Sequence, residues 1–287
     1  ACNLAQMGLR VHLIGVCGDD VAATELETEI STHPAIQFDP VVVKGRPTCL
    51  KTRYRANGQQ ILRVDDETTN DIGTKESKRL LMKVTTVLNN IDLVVISDYA
   101  KGALPLQLLR QIIAAAAAKD KYIVADPKRN DVSFYAGANL LTPNLAELQA
   151  ITHTPLTTID AIGKAATNLA KAHGFESVLT TLSARGMILS QNDGVQFHDP
   201  ASARDIFDVS GAGDTSVAMV AGAIAAKANL ADAVQLANHA ASVVVGKSGT
   251  STVVPGELLA HIGGTPPITD WPNIIVQCAS WRDAGQK

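Results

Sequence analysis

The 287-residue chain lacks the features that mark several large protein classes. Its four cysteines, Cys2, Cys17, Cys49 and Cys278, are scattered and form no C-x-x-C pair. That excludes a disulfide framework or a zinc site and fits reduced thiols in a cytoplasm. The seven histidines are scattered too, with no H-E-x-x-H. No apolar run approaches the roughly 20 residues of a membrane-spanning helix, so no membrane partner is expected. A net charge of −3 without a basic helix argues against a nucleic-acid partner. What is present, 46% hydrophobic and 18% charged residues, is ordinary for a soluble enzyme. The length suffices for one large α/β domain or two small ones.

One stretch organises the rest: Asp208-Val209-Ser210-Gly211-Ala212-Gly213-Asp214-Thr215. A β-type run, Ile206-Phe207, enters it, and a small-residue helical run from Ser216 leaves it. Gly211 and Gly213 let the backbone turn sharply where a helix begins, so orphan N–H groups and the helix dipole together favour an anion. A carboxylate at Asp214 repels a bound phosphate. It makes chemical sense as a base that takes a proton from an attacking hydroxyl while the amides of Gly211, Ala212 and Gly213 take up charge on a transferred phosphoryl group. The competing reading is a first-turn acid that merely complements the dipole. Gly211-x-Gly213-x-x-Ser216 misses the third small residue of a dinucleotide fingerprint, and Gly246-Lys247-Ser248 lacks the earlier glycine of a P-loop, since Ala241 stands there.

Strand and helix patterns alternate along nearly the whole chain, which predicts an α/β fold with a doubly wound, mainly parallel sheet flanked by helices. The chain opens as if already inside a helix that Gly8 stops, and residues before Ala1 are expected. Val11–Val16 reads as a buried strand, followed by a helix to about Ile30. Asn57-Gly58 then signals a tight hairpin between Leu50–Arg55 and Gln60–Asp65. Lys51, Arg53 and Arg55 share one face, and in the simplest register Arg63 falls on the other. Such a face serves either as a solvated edge that blocks aggregation or as an anion-binding lid. Asp98-Tyr99-Ala100-Lys101-Gly102 leaves the C-terminal end of the strand Leu93–Ser97, where open α/β sheets bind ligands. Asp126-Pro127-Lys128 leaves the next strand in the same way. Thr142 is placed as the cap of a helix with Pro143 at its first position and Glu147 as a first-turn acid. Asn3 and Asn238 read equally well as buried structural amides.

Taken whole, the 208–215 stretch resembles the C-terminal signature of the ribokinase/PfkB family of sugar kinases. The resemblance runs from residue 1 to about residue 262 and implies an ATP- and Mg²⁺-dependent kinase. It implies Asp214 as catalytic base and Gly211, Ala212 and Gly213 as the anion hole. Asn3 would be the sugar-binding asparagine of a Gly-Gly-x-x-x-Asn segment whose glycines would precede the chain. Asp98 and Lys101 join Lys51, Arg53 and Arg63 as substrate-binding candidates. Asn144 and Glu147 match an N-x-x-E pair that orders Mg²⁺ and phosphate, usually through water. Lys128, Thr181, Ser183, Gly186, Asn238, Ala241 and Gly249 fall at nucleotide-lining positions, with Ser183 replacing the first glycine of T-x-G-x-x-G. Residues 247–251 correspond to a monovalent-cation loop.

Longer local matches, Ser97–Leu104, Leu140–Leu145 and Val243–Val253, resemble the kinase domains of bacterial heptose enzymes. These act on the anomeric oxygen of D-glycero-β-D-manno-heptose 7-phosphate in ADP-heptose and lipopolysaccharide-core synthesis. A basic lid suits such a phosphosugar. The expected organisation is a kinase domain over 1–262 with a β-lid around 38–66, then a linker over 263–287 leading toward a nucleotidyltransferase domain. Lids of this family often pair in homodimers. Another sugar or nucleoside kinase of the same fold, or an inactive nucleotide-binding domain, stays open.

Overall fold

The computed structural model describes residues 1–56, 59–201, 209–247, 249 and 251–263. In chain order the first elements are α1 (Cys2–Gln6), β1 (Val11–Leu13), β2 (Val16–Cys17), α2 (Val21–Ser31), β3 (Ile36–Phe38) and β4 (Val41–Val42). A hairpin follows, β5 (Leu50–Ala56) and β6 (Gln59–Asp66), then α3 (Thr74–Val87), β7 (Leu93–Ser97), α4 (Leu106–Ala117) and β8 (Tyr122–Asp126). Next come β9 (Leu140–Leu141), α5 (Leu145–Thr152), α6 (Ile159–His173), β10 (Ser177–Thr181), β11 (Met187–Gln191) and β12 (Gln196–Asp199). Three helices close the described chain: α7 (Ala212–Ala225), α8 (Leu230–Val245) and α9 (Pro255–Gly263).

These residues form two compact units. The larger holds Arg10–Leu182 and Ile188–His198, and its six-stranded sheet runs in the order β12-β11-β10-β9-β8-β7. β7, β8, β9 and β10 pair in parallel. Their runs are apolar on both faces, as strands covered on both sides require: Ile123, Val124, Ala125, Leu140, Leu141, Val178 and Leu179 are all buried. Helix α6 shows why such segments fold locally. Thr158 caps it by accepting from Ala161 N (3.2 Å), Asp160 sits in its first turn, Lys171 and His173 in its last, and Gly174 ends it at φ 75°.

The strand expected over residues 11–16 is two short pieces, β1 and β2, paired in parallel with β3 and β4. Both pairs keep one register (Val11 opposite Ile36, Val16 opposite Val41), and between them Asp39 N donates to Leu13 O (2.9 Å) and Val41 N to Gly15 O (2.8 Å). They form one ribbon with an irregular middle. Pro40 interrupts the donors between those two N–H groups, at the position whose nitrogen faces away from the ladder, where a missing N–H costs no pairing.

The hairpin corrects the simplest register. Arg55 lies opposite Gln60, but Tyr54 lies opposite Leu62, so Ile61 is an extra residue, a bulge. A one-residue shift flips every later side chain to the other face. Arg63 therefore lies directly opposite Arg53, on the same face as Lys51 rather than the opposite one. Asn57 and Gly58 lie outside the described residues, as does the run 202–208 before the signature loop.

The smaller unit holds Cys2–Leu9, Ser183–Met187 and the chain from Asp199 onward. Its centre is α7 against α8; Thr215 to Ala223 of α7 are buried on every side, which small residues permit. Gly222 shows how close the packing is: a Cβ there would meet Leu4 Cδ2 at 3.2 Å. Two of its turn residues are left-handed. Gly186 has φ 83°, and a Cβ on it would lie 2.0 Å from Asp199 O. Ser183 has φ 52° and is not a glycine, which accounts physically for the glycine at this position in T-x-G-x-x-G. Ser183→Gly should relieve about 1 kcal/mol of left-handed strain. The expected result is a thermal midpoint a few degrees higher by calorimetry; an unchanged or lower midpoint refutes it.

No helix among the described residues is long and apolar enough to cross a membrane.

Candidate active site

In the larger unit several of the predicted residues lie at the C-terminal ends of the parallel strands, and Lys51, Arg53 and Arg63 lie on the hairpin. Asn144, not Thr142, is the N-cap of α5. Its Oδ1 accepts from Glu147 N (2.9 Å) and its own N donates to Glu147 Oε2 (3.0 Å), a complete capping box. Thr142 instead donates toward Ala125 O (3.3 Å) and Asp126 Oδ1 (3.2 Å), tying β9 to β8. The other oxygen of Glu147 accepts from Lys128 Nζ (2.9 Å), and that bond and charge hold the Lys128 ammonium above its ordinary range. Asn144 also bridges to Thr181 beside it at the end of β10. Four candidate residues, Lys128, Asn144, Glu147 and Thr181, thus share one rim.

No group of three or more His, Cys, Asp or Glu among the described residues could cage a metal. The donors present on this rim are hard oxygens, few in number. That set suits Mg²⁺, which keeps most of its waters and is held by few carboxylates together with substrate phosphates.

Asp98 is held by the protein itself. Its side chain is 3% exposed, and it accepts from Arg129 Nε (2.8 Å), Tyr135 Oη (2.8 Å) and Ala100 N (2.7 Å). Arg129 also donates to Leu104 O (3.0 Å) and lies over the Phe134 ring at 4.7 Å. Burial, then the Asp98 charge and hydrogen bond, push the Tyr135 phenol up, so it remains a donor. The carboxylate thus fixes the loops after β7 and β8, and its acceptors are turned into the protein. Arg129 and Tyr135 went unnoticed in the sequence because nothing in their spacing from Asp98 announces the contact.

Two of the lid cations, Lys51 and Arg63, are paired with carboxylates. Lys51 Nζ lies 3.1 Å from Asp65 and 2.9 Å from Glu67; Arg63 Nε lies 2.9 Å from Asp65 Oδ1. Lys101, in the loop after β7, pairs with Glu67. The hydrogen bonds that Lys51 donates to Glu67 and Asp65 hold its ammonium above its ordinary range. Lys51 holds Asp65 below the usual carboxylate range, and Lys101 and Lys51 do the same for Glu67.

In the smaller unit, Gly211 is the N-cap of α7 with φ 82°, and Gly213 and Asp214 stand exposed in the first turn. A Cβ on Gly213 would meet nothing among the described residues within 4 Å. Ala212 N donates to Val209 O (3.3 Å), closing the turn that leads into the helix. Asn3 Nδ2 donates to Thr215 Oγ1 (3.0 Å) and its Oδ1 accepts from Val253 N (3.4 Å), anchoring the turn next to Asp214. Asn238, 4% exposed, donates to Asp199 Oδ2 (2.6 Å) and Pro200 O (2.8 Å), the same segment that presses on Gly186. Its Nδ2 is thus bonded to the protein. Ala241 lies one turn further along α8, half-buried. Gly249 is left-handed at φ 74°, and Lys247 beside it reaches Thr252 O (2.8 Å) and Glu257 (2.6 Å); Ser248 and Thr250 lie outside the described residues.

The structure of the phosphofructokinase-2 from Escherichia coli in complex with potassium superposes with a TM-score of 0.79 at 20% identity, covering 92% of this chain and 86% of that one. Ribokinase from Arabidopsis thaliana complexed with ribose and ATP gives 0.71 at 19%, over 90% and 83%. The fold is theirs. A protein named bifunctional protein HldE from Paramagnetospirillum magneticum is 38% identical over 99% of this chain and 60% of its own length. Its namesake from Shewanella baltica is 40% identical over 90% of this chain and 53% of its own. The chain thus spans less than two thirds of these relatives. Residues 1–256 match the pfkB family of carbohydrate kinases. The chain belongs to that family.

Proposed function

We propose that this chain transfers the γ-phosphoryl group of ATP to the anomeric O1 of D-glycero-β-D-manno-heptose 7-phosphate, giving the 1,7-bisphosphate for ADP-heptose and lipopolysaccharide-core synthesis. The observation that carries the reading is a pfkB-family chain, alike to proteins named bifunctional, whose hairpin sets Lys51, Arg53 and Arg63 on one face. A sugar that already bears a phosphate calls for such cations. Residues 263–287 would lead into the second activity of a longer protein.

In this reading Asp214 takes the proton of the O1 hydroxyl as it attacks, and the amides of Gly211, Ala212 and Gly213 receive the charge that develops on the transferred group. Asn3 holds that turn through Thr215 and faces the sugar. Asn144 and Glu147 would hold Mg²⁺ through water, and the bound ion would supply neutralisation of phosphate charge. Lys128 bears on the nucleotide phosphates, with Thr181, Ser183, Gly186, Ala241 and Gly249 lining the nucleotide. Asn238 and Asp98 act at one remove, through the loops they fix. A potassium-type cation at residues 247–251 is supported by the neighbour solved with potassium.

A second copy of the chain is the proposed partner of the lid. Leu50, Tyr54, Leu62 and Val64 lie on the face opposite the cations and stand about half exposed. A two-stranded ribbon is marginal alone and gains from having that face covered.

The test is ADP release with Mg-ATP, comparing heptose 7-phosphate with ribose, fructose 6-phosphate and adenosine. Selective turnover of the heptose phosphate is the expected result. Preference for an unphosphorylated sugar refutes the account of Lys51, Arg53 and Arg63 while leaving Asp214 in place.

A further inference from the structure

Four cations face one another at the lid: Lys51, Arg53 and Arg63 on the hairpin and Lys101 from the loop after β7. Two carboxylates, Asp65 and Glu67, lie among them. These six residues alone carry two net positive charges, the complement of a phosphate monoester, which carries about −1.5 to −2 near neutral pH. The distribution is uneven. Lys51 lies opposite Asp65, a favourable pair, but Arg53 lies directly opposite Arg63, a like-charge pair that weakens a hairpin. Arg63 leans away toward Asp65, and no carboxylate among the described residues pairs with Arg53. Glu67 is the link in this arrangement, because one oxygen takes Lys51 of the hairpin and the other takes Lys101 of the core loop. The same loop is gripped by Arg46, which donates to Asn70 O (2.8 Å) and to Lys101 O.

We propose that Asp65 and Glu67 are internal counter-anions that hold Lys51, Arg63 and Lys101 in the absence of substrate, and that a substrate phosphate displaces them. The inference rests on the lid reading above and adds the residues that set its selectivity. With both carboxylates in place the lid cations are pre-positioned yet occupied. A phosphate dianion, with three acceptor oxygens and the unpaired Arg53 as first contact, competes for them. An uncharged sugar hydroxyl does not. Displacing Glu67 also breaks the tie between hairpin and loop, so release of the latch is coupled to phosphate. Glu67 is therefore a specificity-determining residue that touches no reacting atom.

The test is calorimetric titration of the whole chain with inorganic phosphate at low salt. Glu67→Gln keeps the size of the side chain and one of its two acceptors but removes the competing charge. Partly exposed ion pairs of this kind set the scale, and phosphate should bind about fivefold tighter than to the unaltered chain. Asp65→Asn should act in the same direction. Lys51→Met and Arg53→Met should each weaken binding by about fivefold or more. Equal or weaker phosphate binding by Glu67→Gln, with Lys51→Met and Arg53→Met still impaired, overturns the latch alone. If those two variants bind phosphate as the unaltered chain does, or no variant binds it at all, the latch and the lid reading fall together.

Discussion

Asp214→Asn is expected to lower turnover by at least about 10²–10⁴-fold, the usual worth of general-base assistance, while nucleotide binding stays close to normal. The substitution separates the two readings of this residue because of where it sits. Asp214 is exposed in the first turn of α7, behind a left-handed Gly211 and ahead of a helix buried from Thr215 onward. Asparagine has nearly the same shape and is well tolerated near a helix start, so the turn should persist. If Asp214 only complements the helix dipole, the change costs about 0.3–1 kcal/mol of stability and nothing in rate. If it is the base, the rate collapses and the fold remains. Single-turnover phosphoryl transfer together with a nucleotide-binding titration reads both quantities. Turnover within a factor of a few of the unaltered chain sinks the assignment. Asn3→Ala removes the bond to Thr215 Oγ1 and, in the proposed reading, a contact to the sugar, so it should loosen the same turn and weaken sugar binding while leaving the carboxylate in place.

What could be read in the sequence had local causes. Helix α6 begins and ends where Thr158 and Gly174 say it should, since caps act within a few residues. The runs of β7 to β10 are apolar on both faces because the sheet is covered on both. Family membership was legible for a related reason, because Gly211, Gly213 and Asp214 are demanded by one turn. The rest depended on partners distant in sequence. The face of Arg63 turned on the bulge at Ile61, and no residue type in that run announces a bulge. The carboxylates that occupy the lid cations come from Asp65, just past the hairpin's expected charges, and from Glu67. Strand β12 was missed although Asp193-Gly194 offered a turn signal before it, with Gln191 N bonded to Val195 O at 2.8 Å. The cap of α5 was placed two residues early because Thr142 followed by Pro143 looks like a helix start; Asn144 won because Glu147 could complete a box with it.

Asp98 is a residue whose position and whose contacts point to different roles. A carboxylate at the end of a parallel strand points to ligand binding, yet here Arg129, Tyr135 and Ala100 consume its acceptors. Asp98→Asn keeps the volume but takes the negative charge from a nearly buried partner of Arg129, whose own side chain is 22% exposed. Removing one member of a fully buried pair costs about 3–5 kcal/mol, and the partial exposure of Arg129 moves the expectation to about 2–3 kcal/mol. Urea denaturation should show the midpoint fall with an unchanged slope. Adding Arg129→Met should recover part of the loss, because the unpaired guanidinium is what Asp98→Asn leaves behind. Strictly additive losses would mean that the two groups do not act as a pair. The ligand-binding role predicts the reverse pattern, a raised KM for the sugar with the urea midpoint unmoved. The geometry favours loss of stability: three donors already converge on one nearly buried carboxylate.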